Sequence, residues 1–298
     1  MSISKEYPEQ DNVDIFQGVS KVHLRFLQSK NYVIEIVTGD ETTTTRLDME
    51  HFLGKGITST VLKTETGEAA KIFFPVDGQI NYPKIFSNEA TLHIKINHPN
   101  VARADRLGKI RIGSGTEVPC LIKEYLPFGL KEKIGKRQLS VEESIKMIGE
   151  IASATQYIYQ ETGKVIVDLS PDNIRQRENG QWVLSEIGHA VDKNSKPEDE
   201  VYDKVFSDPD FVNRNTIRQE NIVYSLSLIL WQSLTSEKLN DDIHIGSIKD
   251  TIKQNQIPEP IFKIIQAGLR ITDELEIKSP LDFYKKILAA FENTQEQS

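Results

Sequence analysis

Cysteine is almost absent from this chain: Cys120 is the one thiol in 298 residues. A single thiol rules out an internal disulfide framework and fits a reducing, cytoplasmic compartment. No Cys/His cluster with zinc-ligand spacing is present. Neither a G-x-S-x-G nucleophile elbow nor a G-x-x-x-x-G-K-[ST] phosphate loop can be found. Long apolar runs are missing too. The most apolar stretch, residues 226–234, is broken by Ser227, Gln232 and Ser233, so it suits a buried helix and not a bilayer span. The opening MSISKEYPEQDNVD is polar and acidic, unlike a signal or transit peptide. Basic residues are outnumbered 36 to 44, giving a formal charge of −8, which argues against a general nucleic-acid binder. There is no internal repeat.

What remains is ordinary globular composition, 38% hydrophobic and 27% charged. The length suffices for one large domain or two lobes around a cleft. Residues 1–12 have a disordered composition, and apolar spacing over 14–29 predicts a helix. NYVIEIVTGDETTTTRLDMEHFLG reads as a strand, a Gly-Asp turn and a second strand, with the threonines at 42–45 on an exposed edge. Residues 51–74 read as two strands around a Thr-Gly turn. A helix is expected near 87–94 and strands over 101–125. Beyond Pro127-Phe128-Gly129 the pattern turns helical. The segment 140–161 starts with a capping box, Ser140 at the N-cap and Glu143 three residues on. Further helices are expected over 220–235 and 258–292. A strand-rich first half thus meets a helix-rich second half near residue 126, an α+β arrangement with a natural cleft.

Several residues carry chemistry. GKGITSTV (54–61) lies between strands, and its glycines would let backbone amides approach a phosphate. Such glycines equally make a plain hairpin. Lys71, ten residues after Val61, sits in the apolar strand EAAKIFF, where an ammonium needs a partner unless it faces solvent. Glu89, 18 residues further on, could supply one. In VDLSPDNIRQRENGQWVLSEIGHA, Asp168 and Asn173 stand five apart in a loop, followed by a strand, a turn, a second strand and Glu186-Ile187-Gly188. An Asx-type turn around Ser170-Pro171 is the structural alternative for that loop.

The order of these parts resembles the protein-kinase family: glycine loop, strand lysine, helix glutamate, hinge, catalytic loop, metal motif. Residues 166–173 (IVDLSPDN) align with H-R-D-L-x-x-x-N, and Glu186-Ile187-Gly188 with D-F-G. The resemblance implies a bilobal kinase-like fold with an N-terminal extension at 1–48, a β-rich N-lobe at 49–125, a mainly helical C-lobe at 126–290 and a polar tail at 291–298. It implies ATP as the phosphoryl donor, Mg²⁺ or Mn²⁺ as the metal, and a protein Ser/Thr hydroxyl as acceptor, with no nucleic acid involved. Asp168 would be the base, and Lys71, positioned by Glu89, would hold the α- and β-phosphates. Gly54, Gly56, Val61 and Ala69, with the hinge residues Glu124 and Leu126, would bind the nucleotide. Asn173 and Glu186 would hold the metal. VYSLSLILWQSLT (223–235) matches the buried helix of the C-lobe.

Departures from the pattern point toward a divergent kinase or a pseudokinase that binds nucleotide or scaffolds. Glu186 replaces an Asp. Ile166, Val167 and Ile222 replace a polar His-Arg and Asp junction, predicting a packed one and no switching by an activation-loop phosphate. Ser170 replaces a lysine, and Asn213-Arg214-Asn215 stands in place of A-P-E. Lys123 and Arg175 fall beside the presumed base. A one-residue register shift, pairing with Glu residues, or an unexpected phosphate would each account for them. KPEDEVYDKVF, within 189–212, reads as a solvated acidic loop or a docking surface for a basic substrate. A further possibility is a small-molecule kinase. His98 reads as structural.

Overall fold

The computed structural model describes residues 32–38, 41–47, 50–55, 59–73, 82–112, 116–195, 205–209, 217–237, 239, 257–273 and 275–296. The expected helix at 14–29, Gly56, the Asn213-Arg214-Asn215 segment and most of the acidic run after 195 lie outside them. The chain forms two compact units, residues 1–95 with 103–125, and residues 96–102 with 126–298.

The first unit is a seven-stranded antiparallel sheet with one described helix. Its strands are β1 (Tyr32–Thr38), β2 (Glu41–Leu47), β3 (Phe52–Lys55), β4 (Ser59–Lys63), β5 (Ala69–Phe73), β6 (Ala104–Ile112) and β7 (Thr116–Lys123), in the order β2-β1-β6-β7-β5-β4-β3. β1 and β2, which lie within the expected N-terminal extension, are strands of this sheet. β1 pairs with β6 through Ile36↔Ile110, and β2 is the outer edge strand that the threonine run suggested. Residues 51–74 hold three strands and not two, because 52–55 and 59–63 pair antiparallel across 56–58. On one face of the sheet Ile36, Leu62, Ala70, Ile72, Ile110, Val118, Cys120 and Ile122 close into a dry core. Burial pushes the Cys120 thiol up to about 12, so it packs as a small hydrophobe and not as a nucleophile. Helix α1 (Tyr82–Lys95) carries Glu89, Leu92 and His93 as buried residues.

In the second unit, β8 (Phe128–Gly129) and α2 (Leu130–Ile134) lead to the long helix α3 (Val141–Thr162). Its start is the Ser140 N-cap read from sequence: the Glu143 backbone N–H donates to Ser140 Oγ at 3.1 Å, while the Glu143 carboxylate accepts from Arg137. At the other end Gly163, at φ +70°, donates its N–H to the Tyr159 carbonyl and turns the chain in a conformation glycine adopts without a Cβ penalty. Ser140→Ala is expected to cost about 1 kcal/mol, measured by denaturant unfolding with an unchanged m-value.

Short strands then frame the loop of interest: β9 (Lys164–Ile166), β10 (Ile174–Gln176), β11 (Trp182–Leu184) and β12 (Ala190–Asp192). Helix α4 (Glu220–Thr235) is buried nearly all round; Ser225 donates to the Phe206 carbonyl outside it, and three other hydroxyls bond within it. Ser227, Ser233 and Thr235 each donate to the carbonyl four residues back. The helix expected over 258–292 is two, α5 (Glu259–Gly268) and α6 (Pro280–Glu296). Arg270 takes φ +57° just after α5, and Pro280 can only begin a helix, so the apolar periodicity spans a real break. Helix α6 runs through most of the segment expected as a polar tail. Among the described residues no helix is long and apolar enough to cross a membrane.

Candidate active site

In the first unit the strand register decides where the lysines point. Lys71 lies opposite Val61 on β4 and Leu121 on β7, while Ala69 lies opposite Lys123. Ala70 and Ile72 face the dry core, so alternation puts Ala69 and Lys71 on the other face. There Lys71 Nζ donates to Glu89 Oε2 at 2.7 Å, with side chains 7% and 1% exposed. Lys123 reaches the same carboxylate, donating to Oε1 at 3.2 Å, and His93 Nε2 lies 3.7 Å from that oxygen. Burial alone would raise the Glu89 carboxyl. The ammoniums of Lys71 and then Lys123, with His93, hold it well below its usual value, so it stays ionised.

Val61 lies opposite Gly54 across the β3–β4 pair, with a register irregularity between Phe52 and Gly54. A Cβ built on Gly54 would meet nothing within 4 Å, so crowding is not what requires glycine there. At the end of β7, Glu124 is clamped to Arg103. Its N–H donates to the Arg103 carbonyl at 2.9 Å, and its carboxylate accepts the Arg103 N–H at 2.8 Å.

In the second unit, Ser170 opens a 3₁₀ turn at Pro171–Asn173. Asn173 folds back on Asp168, its Nδ2 donating to the Asp168 carbonyl at 2.7 Å and to Oδ2 at 3.0 Å. The Asn173 amide thereby closes the loop that carries the candidate base. β10 and β11 then pair in register, Ile174↔Leu184 to Gln176↔Trp182, around a turn where Gly180 takes φ +82°. The hairpin returns the chain so that Ser185 donates both its N–H, at 2.9 Å, and its hydroxyl, at 3.0 Å, to the Asn173 carbonyl. Glu186, the next residue, is thereby tied to the Asp168–Asn173 loop. Sequence reasoning missed Ser185, and its only signal was adjacency to the metal motif.

Asn173 Oδ1 and the Glu186 carboxylate are hard oxygen donors, of the kind Mg²⁺ or Mn²⁺ takes together with phosphate oxygens. Among the described residues no group of three or more His, Cys, Asp or Glu could hold a metal ion.

The departures also find places. Ile166, Val167, Ile187 and Ile222 are all buried, as apolar residues in place of a polar junction should be. Arg175, on β10 between Gly129 and Val183, donates Nε to the Leu126 carbonyl at 2.9 Å and brings its guanidinium to 3.9 Å from Glu132. Both basic residues therefore pair with a glutamate. The structure adds a contact that sequence did not suggest: Asp208, 1% exposed, accepts from Arg270 at 2.6 Å and from Asn221 at 2.8 Å. His98 is structural. Its Nδ1 accepts the Asn100 N–H at 3.1 Å and its Nε2 lies 3.2 Å from Ser153 Oγ, while burial lowers its pKa.

A helix-borne carboxylate grips a strand lysine in the first unit, and in the second an Asp–Asn loop is joined by a hairpin to a further carboxylate, on an α+β fold. The family model for the protein kinase domain matches residues 47–292, and the chain belongs to that family. Wall-associated receptor kinase-like 3 of Arabidopsis thaliana is 24% identical over 211 residues, 66% of this chain and 28% of that protein. Wall-associated receptor kinase 4 of the same plant is 24% identical over 223 residues, 70% of this chain and 30% of that protein. U-box domain-containing protein 52, also from Arabidopsis thaliana, is 24% identical over 203 residues, 58% and 23% of the two chains. The chain spans about a quarter to a third of the length of the curated relatives it matches.

Proposed function

We propose that this protein is an active, metal-dependent protein kinase that moves the γ-phosphoryl group of ATP to a Ser or Thr hydroxyl of a protein substrate. The observation that carries this reading is the Asp168–Asn173–Ser185 lock, which closes Asn173 on Asp168 and ties the loop to the residue before Glu186. Lys71, kept in place by an ionised Glu89, would bind the α- and β-phosphates. Asn173 Oδ1 and the Glu186 carboxylate would hold the metal, which supplies charge neutralisation at the phosphates. Asp168 would orient the acceptor hydroxyl and take its proton as the new O–P bond forms and the bond to the bridging oxygen breaks. Gly54, Gly56, Val61, Ala69, Glu124 and Leu126 would contact the nucleotide. We place this activity in the cytoplasm.

Glu186 tunes the rate. Its extra methylene moves the carboxylate by more than about 1 Å, and Mg²⁺ tolerates misplacement poorly. Glu186→Asp is therefore expected to raise the Mg²⁺-supported rate by up to about 10²-fold and to narrow the difference between Mn²⁺ and Mg²⁺. Initial rates of labelled phosphate transfer with each metal test this, and an aspartate variant no faster with Mg²⁺ would refute it.

One observation favours a second reading. Arg175 already donates to the Leu126 carbonyl, in the segment the resemblance assigns to the base. A pseudokinase would bind metal–ATP, raising the melting temperature, without transfer by either wild type or Glu186→Asp.

A further inference from the structure

One carboxylate in this protein serves two lysines on one sheet face. Ala69 pairs with Lys123 and Lys71 with Leu121, so Lys71 and Lys123 are diagonal neighbours across β5 and β7. Core residues Ala70, Ile72, Cys120 and Ile122 occupy the opposite face, which sends both lysine stems toward α1. Glu89 Oε2 accepts from Lys71 at 2.7 Å, and Oε1 accepts from Lys123 at 3.2 Å. The two nitrogens are therefore no farther apart than one carboxylate and two hydrogen bonds. Lysine is a costly filler for a strand position this buried, since an apolar residue would pack there without desolvating a charge. Holding Lys71 requires only one oxygen of Glu89. The second oxygen is used to keep another ammonium beside the first.

We propose that Lys123 is a second phosphate-recognition lysine, which shares Glu89 with Lys71 and sustains nucleotide binding when Lys71 is removed. The inference rests on the nucleotide-binding reading above. A lysine stem is long and has three donors, so an anion that reaches Lys71 Nζ is within reach of Lys123 as well. Glu89 would then act as a pivot that presents either ammonium.

The test is titration calorimetry of Mg·ATP and of inorganic tripolyphosphate against wild type, Lys71→Met, Lys123→Met and the double variant. A charge-assisted hydrogen bond is worth about 10- to 150-fold in affinity. With sharing, each single variant loses less than about 10-fold, because the other lysine remains, whereas the double variant loses more than about 10²-fold. Tripolyphosphate should follow the same order, since it has no base. A double variant that binds no worse than Lys71→Met overturns the proposal. Should the double variant fail to fold, Lys71→Met combined with Lys123→Gln carries the test. It should bind at least about 10-fold more weakly than Lys71→Met, because the second cation is gone, and binding no weaker overturns the proposal. A wild type that binds neither probe overturns the nucleotide reading itself, which is a different result from wild-type binding that is insensitive to residue 123.

Discussion

Asp168→Asn is expected to lower phosphoryl transfer by about 10²- to 10⁴-fold while leaving the affinity for Mg·ATP within about 2-fold of wild type. The substitution keeps the side chain's size and leaves an amide oxygen to accept the Asn173 Nδ2–H, which wild type places at 3.0 Å from Oδ2. The loop closure through the Asp168 carbonyl, at 2.7 Å, does not involve the side chain and should survive. What is lost is the negative charge and the basic oxygen that, in the proposed mechanism, orient the acceptor hydroxyl. Binding would there fall to other groups, chiefly Lys71, Asn173 and Glu186. A loss confined to kcat is therefore the signature, whereas a purely structural role for Asp168 would lower the melting temperature and the affinity together.

Glu89→Ala is expected to destabilise the protein by about 3–5 kcal/mol. The carboxylate is 1% exposed and joins Lys71 and Lys123, so its removal takes the shared counter-charge from two buried ammoniums. Lys123→Met in the Glu89→Ala background should recover part of the loss, because one of those charges goes with it. The pH dependence follows from the direction of the Glu89 shift. Its folded-state pKa lies below the ordinary carboxylate value, so its stabilisation is fully present above about pH 4.3 and disappears as pH falls through the depressed value. The stability difference between wild type and Glu89→Gln, from denaturant unfolding, should be flat between pH 5 and 8 and shrink in acid. A difference that instead grew in acid would contradict the ionised pair.

Much of this was legible in the sequence because it is local. The N-cap at Ser140, the turn at Asn179-Gly180 and the pairing of β10 with β11 each depend on residues a few positions apart. Lys71 and Glu89 were readable as partners because each lies in an apolar pattern where its charge demands one. The remainder depends on distant meetings that leave no periodic trace. Asp208 finds Arg270 across 62 residues, and Arg175 finds the Leu126 carbonyl across 49. Sequence offered glutamates and a phosphate as partners for Lys123, and only the register of β5 on β7 brings it to Glu89. The break between α5 and α6 was hidden for the opposite reason: helical spacing of apolar residues continues on either side of it. Pro280 was the available warning.

Turnover is tested most directly by incubating the wild-type chain with γ-labelled ATP, a generic protein substrate and either Mg²⁺ or Mn²⁺. Label is expected in phosphoserine or phosphothreonine with at least one of the two metals, reduced to background in Asp168→Asn. Saturable binding of metal–ATP with no label transferred under either metal would contradict the proposed turnover.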